Sequence, residues 1–163
     1  MENDQEQTLF ETLASTKVVT LVLKSVLLNP ELKQIFVCPM CHVYILITNE
    51  KEVTGTTVQY QFFLEQSIGN KKDWPHAFDI FARFRARQIL TNTDVANELE
   101  RVVGHQEVSY FKQSDGVRRG HLVVACAGAL PRYINKMLAG IIADTLEASA
   151  WYHYEQMKIY SHR

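Results

Sequence analysis

The sequence predicts an α+β fold: an antiparallel sheet built from two hairpins, packed against an N-terminal helix, two short central helices and a long C-terminal helix. Three observations carry it. From Leu130-Pro131 to about His162, Ile134, Met137, Leu138, Ile141, Ile142, Thr145, Leu146, Ser149 and Tyr152 recur at three- and four-residue steps, one stripe of a helix about eight turns long. Over Val43–Thr48 and Val58–Leu64 the apolar period changes to two, as in strands half-buried in a sheet. Leu122–Ala125 is apolar on both faces, which places that strand centrally in the sheet.

In chain order, the first helix is expected over Glu6–Leu28, with Leu9, Phe10, Leu13, Val19, Val22, Leu23 and Val26 on one face. Asn29-Pro30 stops it, because the residue before a proline is pushed out of the helical region. Thr16–Val22 also fits a strand. An extra strand at Gln34–Val37 would precede the first hairpin, which turns through Asn49–Glu52 and sets Gln59, Gln61 and Glu65 on a wet face opposite Val58, Tyr60, Phe62 and Leu64. Gly69–Asp73 reads as a loop leading through Trp74-Pro75 into a helix lined by Ala77, Phe78, Phe81 and Phe84. A second short helix carries Val95, Leu99, Val102 and Val103 and is expected to end at Gly104 in a left-handed C-terminal cap. The second hairpin is expected over Val108–Gln113 and Val117–Cys126, with its turn at Ser114-Asp115-Gly116. Pro131 suits the first position of the last helix, where a missing N–H costs nothing.

No repeat, low-complexity tract or linker divides the 163 residues, so one α+β domain over 1–163 is the economical reading. With 47% hydrophobic and 21% charged residues the composition is globular. A formal charge of −1 gives no basic field for nucleic acid. The acidic, polar start Met1–Glu6 is unlike a signal peptide, and Lys17, Lys24, Lys136 and Asp144 interrupt every apolar segment that approaches the ~20 residues of a membrane span. Three cysteines without an export signal point to a reducing, cytoplasmic setting. The element order of helix, strands, helix, hairpin and final helix resembles that of type III secretion chaperones, a resemblance of topology over most of the chain that carries no shared motif. It implies assembly as a dimer; the strong acidity common in that family is missing here.

One string looks like a motif: Cys38-Pro39-Met40-Cys41-His42. Its order is that of c-type haem attachment, against which the missing export signal counts. It also looks like half of a zinc ribbon, with Cys38, Cys41 and His42 as ligands; the candidates for the rest of a tetrahedral set are Cys126, His76, His105 and His121. A redox site would need a helix after the motif, where His42–Thr48 reads as strand. The plain alternative is a turn with two partly buried thiols.

Arg83, Arg85 and Arg87 alternate along a helix and fan over about 200°. With Lys71, Lys72, Arg118 and Arg119 they would suit an acidic protein partner, or simply form a solvated face. His121 and Asp144 interrupt apolar segments and are either catalytic or hydrogen-bonded structural residues. No phosphate loop, nucleophile elbow or zinc-protease motif is present.

The last helix decides the expected function. Ile134, Met137, Leu138, Ile141, Ile142 and Leu146 form the stripe a sheet would cover, but strands of about six residues, or ~20 Å, do not reach along a helix of roughly 45 Å. The apolar overhang beyond them marks a homodimer interface, with Ile141, Trp151 and Tyr152 as its expected residues; alternatively Tyr154–Tyr160 folds back as a strand. The expectation is therefore a non-enzymatic interaction module, a small adaptor or chaperone-like homodimer without a cofactor. The alternative is a zinc- or small-ligand-binding protein, its enzymatic activity left open, built around Cys38 and Cys41 with a nearby histidine.

Overall fold

The computed structural model of the chain describes residues 12–31, 40–48 and 59–161. Helix α1 (Thr12–Leu27) buries Val19, Val22, Leu23 and Leu27, so helix prevails over the strand alternative at Thr16–Val22. Strand β1 (Cys41–Thr48) and strand β2 (Tyr60–Ile68) form the first hairpin. The expected strand at Gln34–Val37 lies outside the described residues. Helix α2 (Phe78–Thr91) ends on Asn92, whose left-handed backbone sends its N–H to the Gln88 carbonyl. Helix α3 (Ala96–Val103) ends at Gly104, as the sequence predicts, with an N–H to the Glu100 carbonyl, but the glycine is extended at φ +92° and ψ 162° rather than in the left-handed helical cap expected. A short helix α4 (His105–Val108), strands β3 (Asp115–Arg119) and β4 (Leu122–Gly128), and helix α5 (Arg132–Ser161) complete the order. Helix α5 runs through Tyr154–Tyr160, so that segment does not fold back as a strand.

The four strands are antiparallel in the order β2-β1-β4-β3. Strand β4 is central and buried along its whole length, as its two apolar faces require. Helices α1 and α5 cover one face of the sheet, where Val43, Ile45, Ile47, Val124 and Cys126 meet Leu23, Leu27, Leu138, Ile142 and Leu146. Helix α2 crosses β1, β3 and β4 on the other face, packing Phe81, Ala86 and Leu90 near Leu46, Val123, Ala125 and Ala127.

Two strand expectations are corrected. Val108–Gln113 is helical: α4 runs into a 3-10 turn over Ser109–Gln113, and the strand begins only at Asp115. The Asp-Gly pair is thus inside the strand. Gly116 is there because a Cβ would stand 2.5 Å from the Val124 carbonyl oxygen and 2.7 Å from Ile89, so its smallness permits α2 to approach β3. The hairpin turns instead at Gly120-His121, where Gly120 supplies a φ of +57° between paired Arg119 and Leu122. In β2 the register shifts: Ile45 faces Leu64 but Leu46 faces Phe62. The bulge puts Phe62 on the α2 face and Leu64 on the opposite one, so these two residues, expected on one face, are divided between two; Val58 lies outside the described residues.

Helix α5 is tied down at its first turns by polar contacts. Asn135, fully buried, donates through Nδ2 to the carbonyls of Gln113 (2.8 Å) and Leu130 (3.2 Å). Arg132 donates to Asp115 at 3.0 Å.

Candidate functional site

Strand alternation sends neighbouring side chains to opposite faces of a sheet, and that separates the members of the cysteine motif. Cys41 lies in the apolar core under α1 and α5, whereas His42 points to the α2 face. The two therefore have no common metal position. Cys38 lies outside the described residues, and among those described no group of three or more histidine, cysteine or acidic side chains is placed to hold a metal. Cys126 is fully buried beside Cys41, and burial pushes its thiol well above the ordinary range, with Cys41 adding to the effect. A thiol so held is protonated and unreactive.

His42 heads a polar cluster instead. Its ring is almost fully buried and both nitrogens are engaged: Nδ1 stands 2.6 Å from Ser67 Oγ and Nε2 2.9 Å from Glu65 Oε2. Register explains this, because Ser67 lies directly across from His42 on β2 and Glu65 lies across from Tyr44 on the same face. Burial holds the His42 pKa below 6.5, outweighing the Glu65 hydrogen bond and the charges of Glu65 and Asp79, while Arg83 lowers it further. The ring is neutral. Trp74 packs edge-on against it, with centroids 5.8 Å apart. At the start of α2, Asp79 accepts from Lys71 Nζ at 2.8 Å. Burial raises the Asp79 pKa, but the Lys71 bond, the Ile80 N–H and the charges of Lys71 and Arg83 prevail and hold it below 3.8.

Arg83, Arg85 and Arg87 all lie on α2, and each binds within the chain. Arg83 donates to both carboxylate oxygens of Glu65 at 3.1 Å. Arg85 donates to Ser114 Oγ (3.0 Å), the Phe111 carbonyl (3.0 Å) and Gln88 (2.8 Å), with its guanidinium 4.0 Å from the Phe111 ring centre. Arg87 pairs with Glu98 and lies over Phe84. An acidic partner would compete with these internal acceptors. His121 donates from Nδ1 to the Thr48 carbonyl at 2.8 Å, and Asp144 accepts from Arg119 at 2.9 Å, so both have structural bonds.

Helix α5 is apolar on two sides. Leu138, Ala139, Ile142, Ala143, Leu146 and Ala150 are buried on the sheet side. Met137, expected on that inner stripe, and Ile141, expected both on it and at the interface, are exposed and align with Tyr133, Trp151 and Tyr152, which are 71%, 47% and 66% exposed. At 3.6 residues per turn these five lie within about 100° of one another, opposite the buried face. Asp144, bound by Arg119, is the charged residue that interrupts the stripe between Tyr133 and Tyr152.

Sequence reasoning missed Glu65, Ser67 and Trp74. The available signal was Glu65-x-Ser67, two polar side chains on one face of an edge strand; without the bulge, their pairing with His42 has no visible register. No protein-family model matches the chain, and neither a curated protein nor a solved structure does.

Proposed function

We propose that the chain is a protein-interaction module that works as a homodimer, with the outer face of α5 as its two-fold contact. The supporting observation is the exposed stripe Tyr133, Met137, Ile141, Trp151 and Tyr152 on the side of the helix turned away from its own sheet. Exposed apolar patches of this kind mark interfaces, and a two-fold axis buries the same patch from both copies. The stripe suits a second copy in particular because it is nearly symmetric end to end. Aromatic residues stand at both ends, and Met137, Ile141 and Ala148 lie between them. An antiparallel copy centred near Ile141 and Asp144 brings Tyr133 of one helix beside the Trp151–Tyr152 end of the other. The contact would run about 28 Å along the helix, and the large aromatics would carry most of its energy.

Sedimentation of the full chain and of a Trp151→Ala, Tyr152→Ala variant is the test. The expected result is a dimer that dissociates in the variant without loss of helix signal. A monomer in both cases removes the reading.

A further inference from the structure

We propose that Ser67 is an activated nucleophile for acyl transfer, with His42 as its general base and Glu65 as the group that orients the imidazole. The inference goes beyond the α5 interface and does not rest on it. A neutral imidazole carries one N–H, and the Glu65 carboxylate can only accept, so the proton sits on Nε2. Nδ1 is then a lone pair facing Ser67 Oγ at 2.6 Å, and the serine hydroxyl donates to it. Nucleophile, base and orienting carboxylate within hydrogen-bond reach are the general arrangement by which a hydroxyl is activated. Glu65 is itself fixed by Arg83. Ser67 is exposed, so an electrophile can reach Oγ.

Donors for the developing oxyanion are at hand. Strand β2 is an edge, and an edge strand turns alternate backbone N–H groups away from its neighbour. Beside His42, the indole N–H of Trp74 is buried and has no acceptor among the described residues. Trp74 also borders an open groove of about 440 Å³ whose lining is mixed, with Lys71, His76, Asp79 and Glu107 beside Ile80 and Val103; Ser67 is not part of that lining. The chemistry of the hydroxyl and imidazole fits a small carboxylic ester that reaches Ser67 from the open side of the sheet. In the reaction, Ser67 Oγ bonds to the ester carbonyl carbon and its proton passes to His42 Nδ1. Collapse of the tetrahedral intermediate breaks the carbon–oxygen bond to the leaving alcohol, which takes that proton. Water then repeats the sequence on the acyl-serine, releasing the acid and restoring the hydroxyl.

The test is covalent labelling with a fluorophosphonate, followed by peptide mass spectrometry, with release of nitrophenol from p-nitrophenyl butyrate in parallel. The expected adduct is on Ser67, at least ten-fold faster than in the urea-unfolded chain, and both signals vanish in Ser67→Ala, an exposed site whose change leaves the fold intact. In Glu65→Gln labelling slows and the midpoint of its rate–pH profile moves to lower pH, since Glu65 raises the basicity of His42; Asp79 and, through it, Lys71 face the same ring and keep their bond, while Arg83, deprived of the Glu65 charge, acts in the same downward direction. Labelling no faster than in the unfolded chain, labelling elsewhere only, or an unmoved midpoint in Glu65→Gln overturns the proposal.

Discussion

The two faces of the sheet are built on different terms. Under α1 and α5 the packed cluster from Val19 to Leu146 is hydrocarbon and thiol, with polar contacts where α5 begins, at Asn135, and where α1 meets β2, at Thr20 and Gln66. Under α2 the apolar packing stops short of β2, where His42, Glu65 and Ser67 share hydrogen bonds and Tyr60 and Phe62 stay half exposed. The first face is covered by two long helices. The second is crossed by a single 14-residue helix that reaches β1, β3 and β4. Stability should therefore be concentrated on one side and polar chemistry on the other.

The largest test of that contrast is a pair of truncations. Leu138→Ala, fully buried on α5, should cost about 2–5 kcal/mol, because it removes hydrocarbon and leaves a cavity. Phe62→Ala, on the open side, should cost less than about 1 kcal/mol despite the larger side chain removed. Urea unfolding of both measures this, and equal losses would show that β2 is packed as tightly as the core.

A smaller difference is expected within α2. Arg85→Gln deprives the buried Ser114 hydroxyl and the Phe111 carbonyl of a cationic donor and should cost about 1–3 kcal/mol. Arg83→Gln loses a partly exposed pair with Glu65 and should cost about 0–1 kcal/mol. Thermal melts of the two variants rank them; a reversal would move the structural role from Arg85 to Arg83.

The smallest effect is a pH slope. With its folded pKa held below 6.5, His42 takes up its proton more readily in the unfolded chain, so stability is complete above about pH 6.5 and falls as the pH drops from there towards the folded pKa. Asp79, held below 3.8, adds a second loss only at lower pH, when its carboxylate is protonated. One group gives a slope of at most about 1.4 kcal/mol per pH unit. Melting temperatures of the wild type should decline between pH 6.5 and 5, and His42→Gln should flatten that interval. The same decline in both proteins would assign it to other groups.

The layer architecture was legible because long periodic segments are hard to misread. Helix α5, the central position of β4 and the end of α3 at Gly104 follow from apolar spacing and one glycine. The errors arose where a residue served packing and local propensity suggested a turn. Asp115-Gly116 has the composition of a tight turn, yet Gly116 serves the approach of Ile89. The polar cluster was hidden for a related reason. His42, Glu65 and Ser67 meet only through cross-strand register, and the bulge at Phe62–Leu64 sets that register without a marker in composition. The exposed face of α5 is half legible in the sequence: Ile141, Trp151 and Tyr152 are expected at an interface, whereas Met137 has the spacing of the buried stripe and is exposed.

Among the described side chains of α5, Ala150 is the last that is buried, although the helix continues to Ser161. Ahead of Ala150, opening a backbone amide to exchange with solvent means separating the helix from the sheet. Beyond it, the helical hydrogen bonds are supported by surface contacts such as Trp151 on Tyr154 and Lys158 over Tyr154. Helical turns held mainly by their own hydrogen bonds are marginal in water. A single continuous helix thus has two opening free energies, a global one near Asn135 and a local one past Trp151. Any contact that covers Trp151 and Tyr152 is felt first as slower amide exchange in those last turns.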